Sequence, residues 1–251
     1  MTKPRSRDHY SYSTYADPTM ARNFEDRRFG GQIGELVAGT QARVLANMVG
    51  RIQGRSILDV GTGAGRAALL LAHGGAIVTA IDASEAMLAV ARRRAVEESV
   101  KIRFLRGDAH ALDFRDHEFD VIVCLRVLMH SPDWRRCLAE LCRVGQRLVI
   151  FDYPSATSAA LLQSLARRVV HAAGGQTEAY RVFTDRSIRR ALDQSGFRVR
   201  SIHRQFVLPI QLHRAIGSRS FTMFCGRFLK RAGLLRVFGS PVTVVAERCG
   251  S

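Results

Sequence analysis

A short glycine cluster flanked by carboxylates is where this sequence concentrates groups able to do chemistry. Ile57, Leu58 and Val60 form an apolar run that enters glycines at 61, 63 and 65, and Asp59 lies two positions before the first of them. Glycines so placed let the main chain approach a ligand closely, because a Cβ there would collide with it. The dinucleotide pattern G-x-G-x-x-G, begun at Gly61, needs a glycine where this chain has Arg66. A carboxylate at Asp59 is also poorly suited to sit beside a pyrophosphate; a ligand with positive charge at that end suits it better. Asp82 closes the next apolar run 21 positions after Gly61, the distance at which an acid takes ribose hydroxyls. Asp108 follows a third run and can accept a hydrogen bond from the exocyclic amine of adenine. His130 follows a fourth. Its reference pKa near ~6.5 is in range for a general base toward a phenol or enol, and the alternative is a histidine packing the rim of the pocket.

Strands and helices must alternate to place these groups together. Strands are predicted at 57–60, 76–81, 101–106, 119–125, 146–152, 198–206 and 241–247, the fourth an apolar run suited to burial on both faces. Helices are predicted after the glycine cluster, at 85–97 with Ser84 as its cap, and at 134–143 capped by Asp133. Further helices are expected over 159–173 and 183–195, the latter stopped by Gly196. Asp152, at the end of the fifth strand, is assigned the cap of the next helix rather than a contact to an acceptor hydroxyl. Strands alternating with helices make a parallel α/β sheet whose ligand sits at the C-terminal strand edge.

Three stretches, Ile57 to Gly65, Ile81 to Met87 and Gly107 to Ala109, each behind an apolar strand, together resemble class I S-adenosylmethionine (SAM)-dependent methyltransferases. The resemblance covers about residues 20 to 250 and is densest between 56 and 152. It implies an α/β three-layer sandwich around a doubly wound, mostly parallel seven-stranded sheet, ordered 3-2-1-4-5-7-6 with the last strand antiparallel. It implies SAM as cofactor, held by Arg28, Asp59, Gly61, Thr62, Gly63, Gly65, Asp82, Ala83, Met87, Asp108, Ala109 and Leu125, with His130 as the catalytic residue and no metal. Residues 1–50 would form an N-terminal arm and lid helices, with Phe24 and Arg28 over the cofactor, and 51–251 the methyltransferase domain. Within the family the chain looks most similar to the ubiquinone- and menaquinone-type enzymes. The expected activity is O-, C- or N-methylation of a small-molecule or lipid-like acceptor. An RNA methyltransferase, a cofactor-binding protein without catalysis and a nucleotide-binding oxidoreductase stay open as alternatives.

Composition bounds the partners. The net charge is +16, arginine supplies nearly all of it, and only Lys3, Lys101 and Lys230 are lysines. From Arg198 to Arg248 there are ten cations and one acid, Glu247. That asymmetry suggests an anionic surface, phospholipid or nucleic acid. The chain shows no added RNA-binding module, which counts against nucleic acid. About thirty residues, 209–239, intervene before the last strand where the resembled fold needs a short connection. They mix apolar and basic side chains at helical spacing, with Phe221, Phe224, Phe228 and Leu235 on one face. This helical insertion, counted with its flank as 204–236, is the candidate for peripheral contact with an anionic membrane. The five cysteines form no C-x-x-C pair, and the polar N-terminus has no apolar signal segment. The expected location is cytoplasmic, with peripheral contact at the inner face of the membrane.

Overall fold

The computed structural model describes residues 30–161 and 180–250. Within them the chain runs α1 (Gly31–Val49), β1 (Ser56–Val60), α2 (Arg66–His73), β2 (Ile77–Asp82), α3 (Glu85–Glu97), β3 (Ile102–Arg106) and β4 (Phe119–Cys124). A short 3-10 turn (Leu128–His130) follows, then α4 (Trp134–Val144), β5 (Gly145–Tyr153), α5 (Asp185–Gln194) and β6 (Phe197–Phe206). Three helices, α6 (Ile210–Ile216), α7 (Arg219–Arg231) and α8 (Leu234–Phe238), precede β7 (Ser240–Arg248). Arg28 and Phe24, and the expected helix beyond residue 161, lie outside the described residues.

The sheet has seven strands in the order β3-β2-β1-β4-β5-β7-β6. The first five strands pair in parallel, while β7 lies antiparallel to both β5 and β6. This is the order and polarity the resemblance implies. Alternation along the central strands explains the two packed faces. Leu58, Val60, Ile122, Cys124, Val149 and Phe151 point to one side, where they meet Leu138 and Leu141 of α4 and Leu192 of α5. Their neighbours Ile57, Val121, Val123 and Ile150 point to the other, against Leu45 and Val49 of α1 and Ala68 and Leu71 of α2. Both faces are therefore covered, which is why β4 reads as a nearly unbroken apolar run. Ser84 accepts the Met87 N–H and Asp133 the Arg136 N–H, so both predicted caps form.

The helices between β6 and β7 build a small core of their own. His213 is buried against Phe206 and Phe221, with ring centroids at 5.6 and 6.0 Å, and its Nδ1 lies 3.1 Å from the Thr222 hydroxyl. That contact marks the side of α7 that faces inward. Phe221, buried Thr222, Cys225 and Leu229 form the inward stripe, whereas Phe224 and Phe228 are 61% and 60% exposed and stack on each other at 6.2 Å. The Phe224 and Phe228 side of the helix is thus the exposed one. Both α6 and α7 also rest on α1.

Candidate functional site

A deep concavity opens at the C-terminal ends of β1, β2 and β4, where the order of a doubly wound sheet reverses. Three short turns supply its floor: the glycine loop after β1, residues 83–84 after β2, and 125–127 after β4. Helix α1 closes one side with Ala38, Gln41, Ala42 and Leu45. That helix is fastened to the loop region by a hydrogen bond of 2.6 Å from the Arg66 guanidinium to the Gln41 side chain.

The glycine loop is wired almost entirely to the protein. The Gly61 and Thr62 N–H groups both donate to the Ile81 carbonyl (2.8 and 2.9 Å), Gly63 donates to Asp82 Oδ2 (2.8 Å), and Gly65 donates to the Thr62 carbonyl (3.0 Å). The left-handed φ of +71° at Gly61 leaves no room for a side chain, since a Cβ would stand 2.3 Å from a Val127 methyl. At Gly63 a Cβ would meet only Met87 Cε, at 3.4 Å, and would otherwise protrude into the pocket. Gly65 has a different role from the one expected. It lies off the pocket lining, and a Cβ there would come within 2.9 Å of the Ala91 Cβ, so it permits α2 and α3 to approach.

Two carboxylates stand behind the loop. Asp59 is almost fully buried, its Oδ2 accepts the Thr62 hydroxyl at 2.6 Å, and the Ala68 N–H also donates to it. Asp82 accepts from Gly63 N–H through one oxygen and from Ser84 N–H, at 2.9 Å, through the other. Burial holds the Asp82 carboxyl above its ordinary range, opposed by the N–H groups of Ser84, Gly63 and Ala83.

Of the thirteen residues singled out from the sequence, ten line this pocket: Asp59, Gly61, Thr62, Gly63, Asp82, Ala83, Met87, Ala109, Leu125 and His130. Besides Gly65, Asp108 stands back from it. Asp108 Oδ1 instead receives the His110 N–H (2.9 Å) and His110 Nδ1 (2.8 Å), and His110 Nε2 reaches the Ser131 hydroxyl at 2.7 Å. Asp108 therefore acts on the pocket through His110 and Ser131, which do line it. No spacing rule connects a turn after β3 with one after β4, so this chain was invisible in the sequence. The α1 side chains were likewise indistinguishable from ordinary core positions. His130 sits on the rim, its ring 6.5 Å from Tyr180 in an edge-to-face arrangement. Asp152, assigned to the cap of a helix that lies largely outside the described residues, takes a main-chain donor of the loop after β4. It is buried and accepts the Arg126 N–H at 2.5 Å, holding Arg126 at a φ of +65° at the mouth.

Asp59 makes the stability of the protein depend on pH. Burial pushes its carboxyl from 3.8 up to about 6, the Asp82 charge adding to the rise and the Thr62 and Ala68 hydrogen bonds opposing it. A raised folded value means the native state binds this proton more tightly than the unfolded chain does. The resulting penalty is absent below about pH 4, grows from there to about 6, and is fully present above, at ~1.4 kcal/mol per unit. Asp59→Asn should therefore stabilise the protein at pH 8 by on the order of 1–3 kcal/mol in urea denaturation, with the gain vanishing by pH 4. An equal effect at both pH values would mean that ionised Asp59 carries no such cost.

Comparison with known proteins agrees with this geometry. The family model described as a methyltransferase domain matches residues 58–149. Over 105 residues the chain is 40% identical to a demethylmenaquinone methyltransferase of Thermus thermophilus, an alignment covering 40% of this chain and 48% of the relative. A ubiquinone biosynthesis O-methyltransferase of Coxiella burnetii is 36% identical over 100 residues, covering 39% and 43%. The chain thus spans about half the length of the curated relatives it matches. A magnesium protoporphyrin IX methyltransferase of Synechocystis, solved with bound SAH, superposes with a TM-score of 0.67 at 20% identity, over 95% of this chain and 98% of that one. Residues 58–149 thus match a methyltransferase domain, and the sheet around them has the fold of that solved methyltransferase.

Proposed function

We propose that the protein is an enzyme that transfers a methyl group from SAM to oxygen, carbon or nitrogen of a small-molecule or lipid-like acceptor. The observation that carries this reading is the wiring of the glycine loop. A loop that cradles phosphate presents free N–H groups to the anion. Here those of Gly61, Thr62, Gly63 and Gly65 are all engaged within the protein, and the charges beside the loop are the carboxylates of Asp59 and Asp82. Such a site repels a pyrophosphate and suits a nucleoside carrying cationic groups.

The residues fit SAM as follows. Asp82 has acceptor capacity left for ribose hydroxyls, since a carboxylate accepts about four hydrogen bonds. Gly63 leaves space where a side chain would protrude, and Asp59 places negative charge under the cationic end. The cofactor, when bound, supplies an electrophilic methyl group. His130 accepts the proton the acceptor loses, from its place on the rim beyond β4. The curated relatives, whose names are those of quinone-pathway methyltransferases, support an acceptor of small-molecule size.

A second feature favours a lipid-like acceptor drawn from a membrane. The cap between β6 and β7 exposes Met223, Phe224, Phe228, Val237 and Phe238 among the exposed cations Arg219, Arg227, Lys230, Arg231 and Arg236. No described helix is long and apolar enough to cross a membrane, so contact through the cap would be peripheral. Each cation near anionic lipid contributes ~1 kcal/mol, and exposed aromatic rings add apolar insertion.

Three measurements test these claims. Charge-assisted hydrogen bonds contribute about 1.5–3 kcal/mol, so Asp82→Ala should weaken SAM binding by roughly ten- to over a hundredfold in calorimetry. His130→Ala should leave that affinity nearly intact while cutting methyl transfer to an extract-derived acceptor by ~10² to 10⁴; survival of the rate within a few fold would remove the base. In flotation, the protein should bind vesicles containing about a third anionic phosphatidylglycerol at low salt and release at high salt. The Phe224→Ser/Phe228→Ser variant should stay in solution. A folded wild-type protein that ignores these vesicles would return the acceptor to the freely diffusing class.

A further inference from the structure

Beside the cofactor pocket lies a second, narrower cavity, and two of the residues lining it each hold a buried polar atom without a partner among the described residues. It is bounded on the sheet side by Arg126, Asp152, Gln205 and Thr243, and on the other by Gln41 and Leu45 of α1. Arg126, Gln41 and Leu45 line both cavities, so the two are contiguous. Pairing of Asp152 with Thr243, and of Thr243 with His203, brings Gln205 of β6 to the same end of the sheet as the loop after β4. Gln205 is 8% exposed, and neither its Oε1 nor the buried Nε of Arg126 has a hydrogen-bond partner among the described residues. An unsatisfied buried amide oxygen or guanidinium N–H is costly, on the order of 1–3 kcal/mol each, and is uncommon in a native protein.

We propose that Arg126 and Gln205 anchor a hydroxyl group of the methyl acceptor. This rests on the methyltransferase reading and goes beyond it by naming a chemical group and the residues that read it. The choice follows from donor and acceptor counting. Arg126 Nε–H can only donate, and Gln205 Oε1 can only accept. One neutral hydroxyl satisfies both, accepting from the guanidinium and donating to the amide oxygen. An ether satisfies Arg126 alone. A carboxylate would face both the Gln205 oxygen and the buried Asp152 carboxylate, and an ammonium cannot accept from Arg126. The apolar neighbours Val44, Leu45 and Leu125 suit a hydrocarbon or ring carrying that hydroxyl. The anchored hydroxyl is distinct from the atom that is methylated, because methylating it would remove the proton Gln205 requires.

The test uses the full chain and three probes of one shape series: phenol, anisole and benzoate, titrated by ligand-observed NMR with and without S-adenosylhomocysteine. Phenol should bind at least about fivefold more tightly than anisole, and benzoate should not bind. Gln205→Leu should weaken phenol roughly tenfold, to the anisole value, while S-adenosylhomocysteine affinity stays within about twofold. Its melting temperature should be no lower than wild type, because replacing an unpartnered buried amide with an apolar group of similar volume removes a cost. Gln205→Met gives the same readout should the leucine variant fail to fold. Equal binding of phenol and anisole by the wild-type protein would overturn the anchor. So would a Gln205 variant that loses stability yet keeps the phenol preference, which would mark Gln205 as a structural residue satisfied by solvent. A protein that discriminates phenol from anisole but ignores S-adenosylhomocysteine would lose the methyltransferase reading and keep the anchor.

Discussion

The approach of two carboxylates, buried Asp59 and half-buried Asp82, at the ends of adjacent parallel strands is the constraint around which this site is built. Parallel pairing of β1 with β2 puts Asp59 beside Ala80, two residues before Asp82. Like charges in a dry environment repel, and burial penalises each of them further. The protein tolerates the arrangement by surrounding both with donors: Thr62 and Ala68 at Asp59, Gly63 and Ser84 at Asp82. Two of those donors, Thr62 and Gly63, belong to the loop itself. The conformation of residues 61–65 and the ionisation of the carboxylates are consequently one problem, and a cationic ligand relieves it from outside.

This arrangement also accounts for which parts of the molecule were legible in its sequence. The strands were readable because two-sided burial demands unbroken apolar runs, as in Val121 to Cys124, and the caps because Ser84 and Asp133 immediately precede helical stretches. Ten site residues were readable because they stand at the ends of those strands. What stayed hidden depends on contacts between distant turns. The Asp108–His110–Ser131 chain joins turns after different strands, and Asp152 reaches across to the main chain of Arg126. The inward side of α7 stayed hidden because a buried His213–Thr222 pair marks it, and no spacing rule joins those two residues.

Helix α1 links the otherwise separate features. One face lines the cofactor pocket and the narrow cavity beside it, and the helix also supports α6 and α7 of the cap. An exposed aromatic and basic surface, a covering helix and a pocket mouth thus lie in one stack. A cap that docked on anionic lipid would do so through helices packed directly against the wall of the pocket, a short route for an apolar acceptor leaving a bilayer.

The central claim is that a glycine loop with its N–H groups engaged internally, backed by two carboxylates, selects a cationic nucleoside over a phosphate-bearing one. Calorimetric titration of the full chain at pH 8 with SAM and, separately, with NADH tests it most directly. The account predicts saturable binding of SAM and none of NADH. Tight NADH binding with no heat from SAM would contradict it.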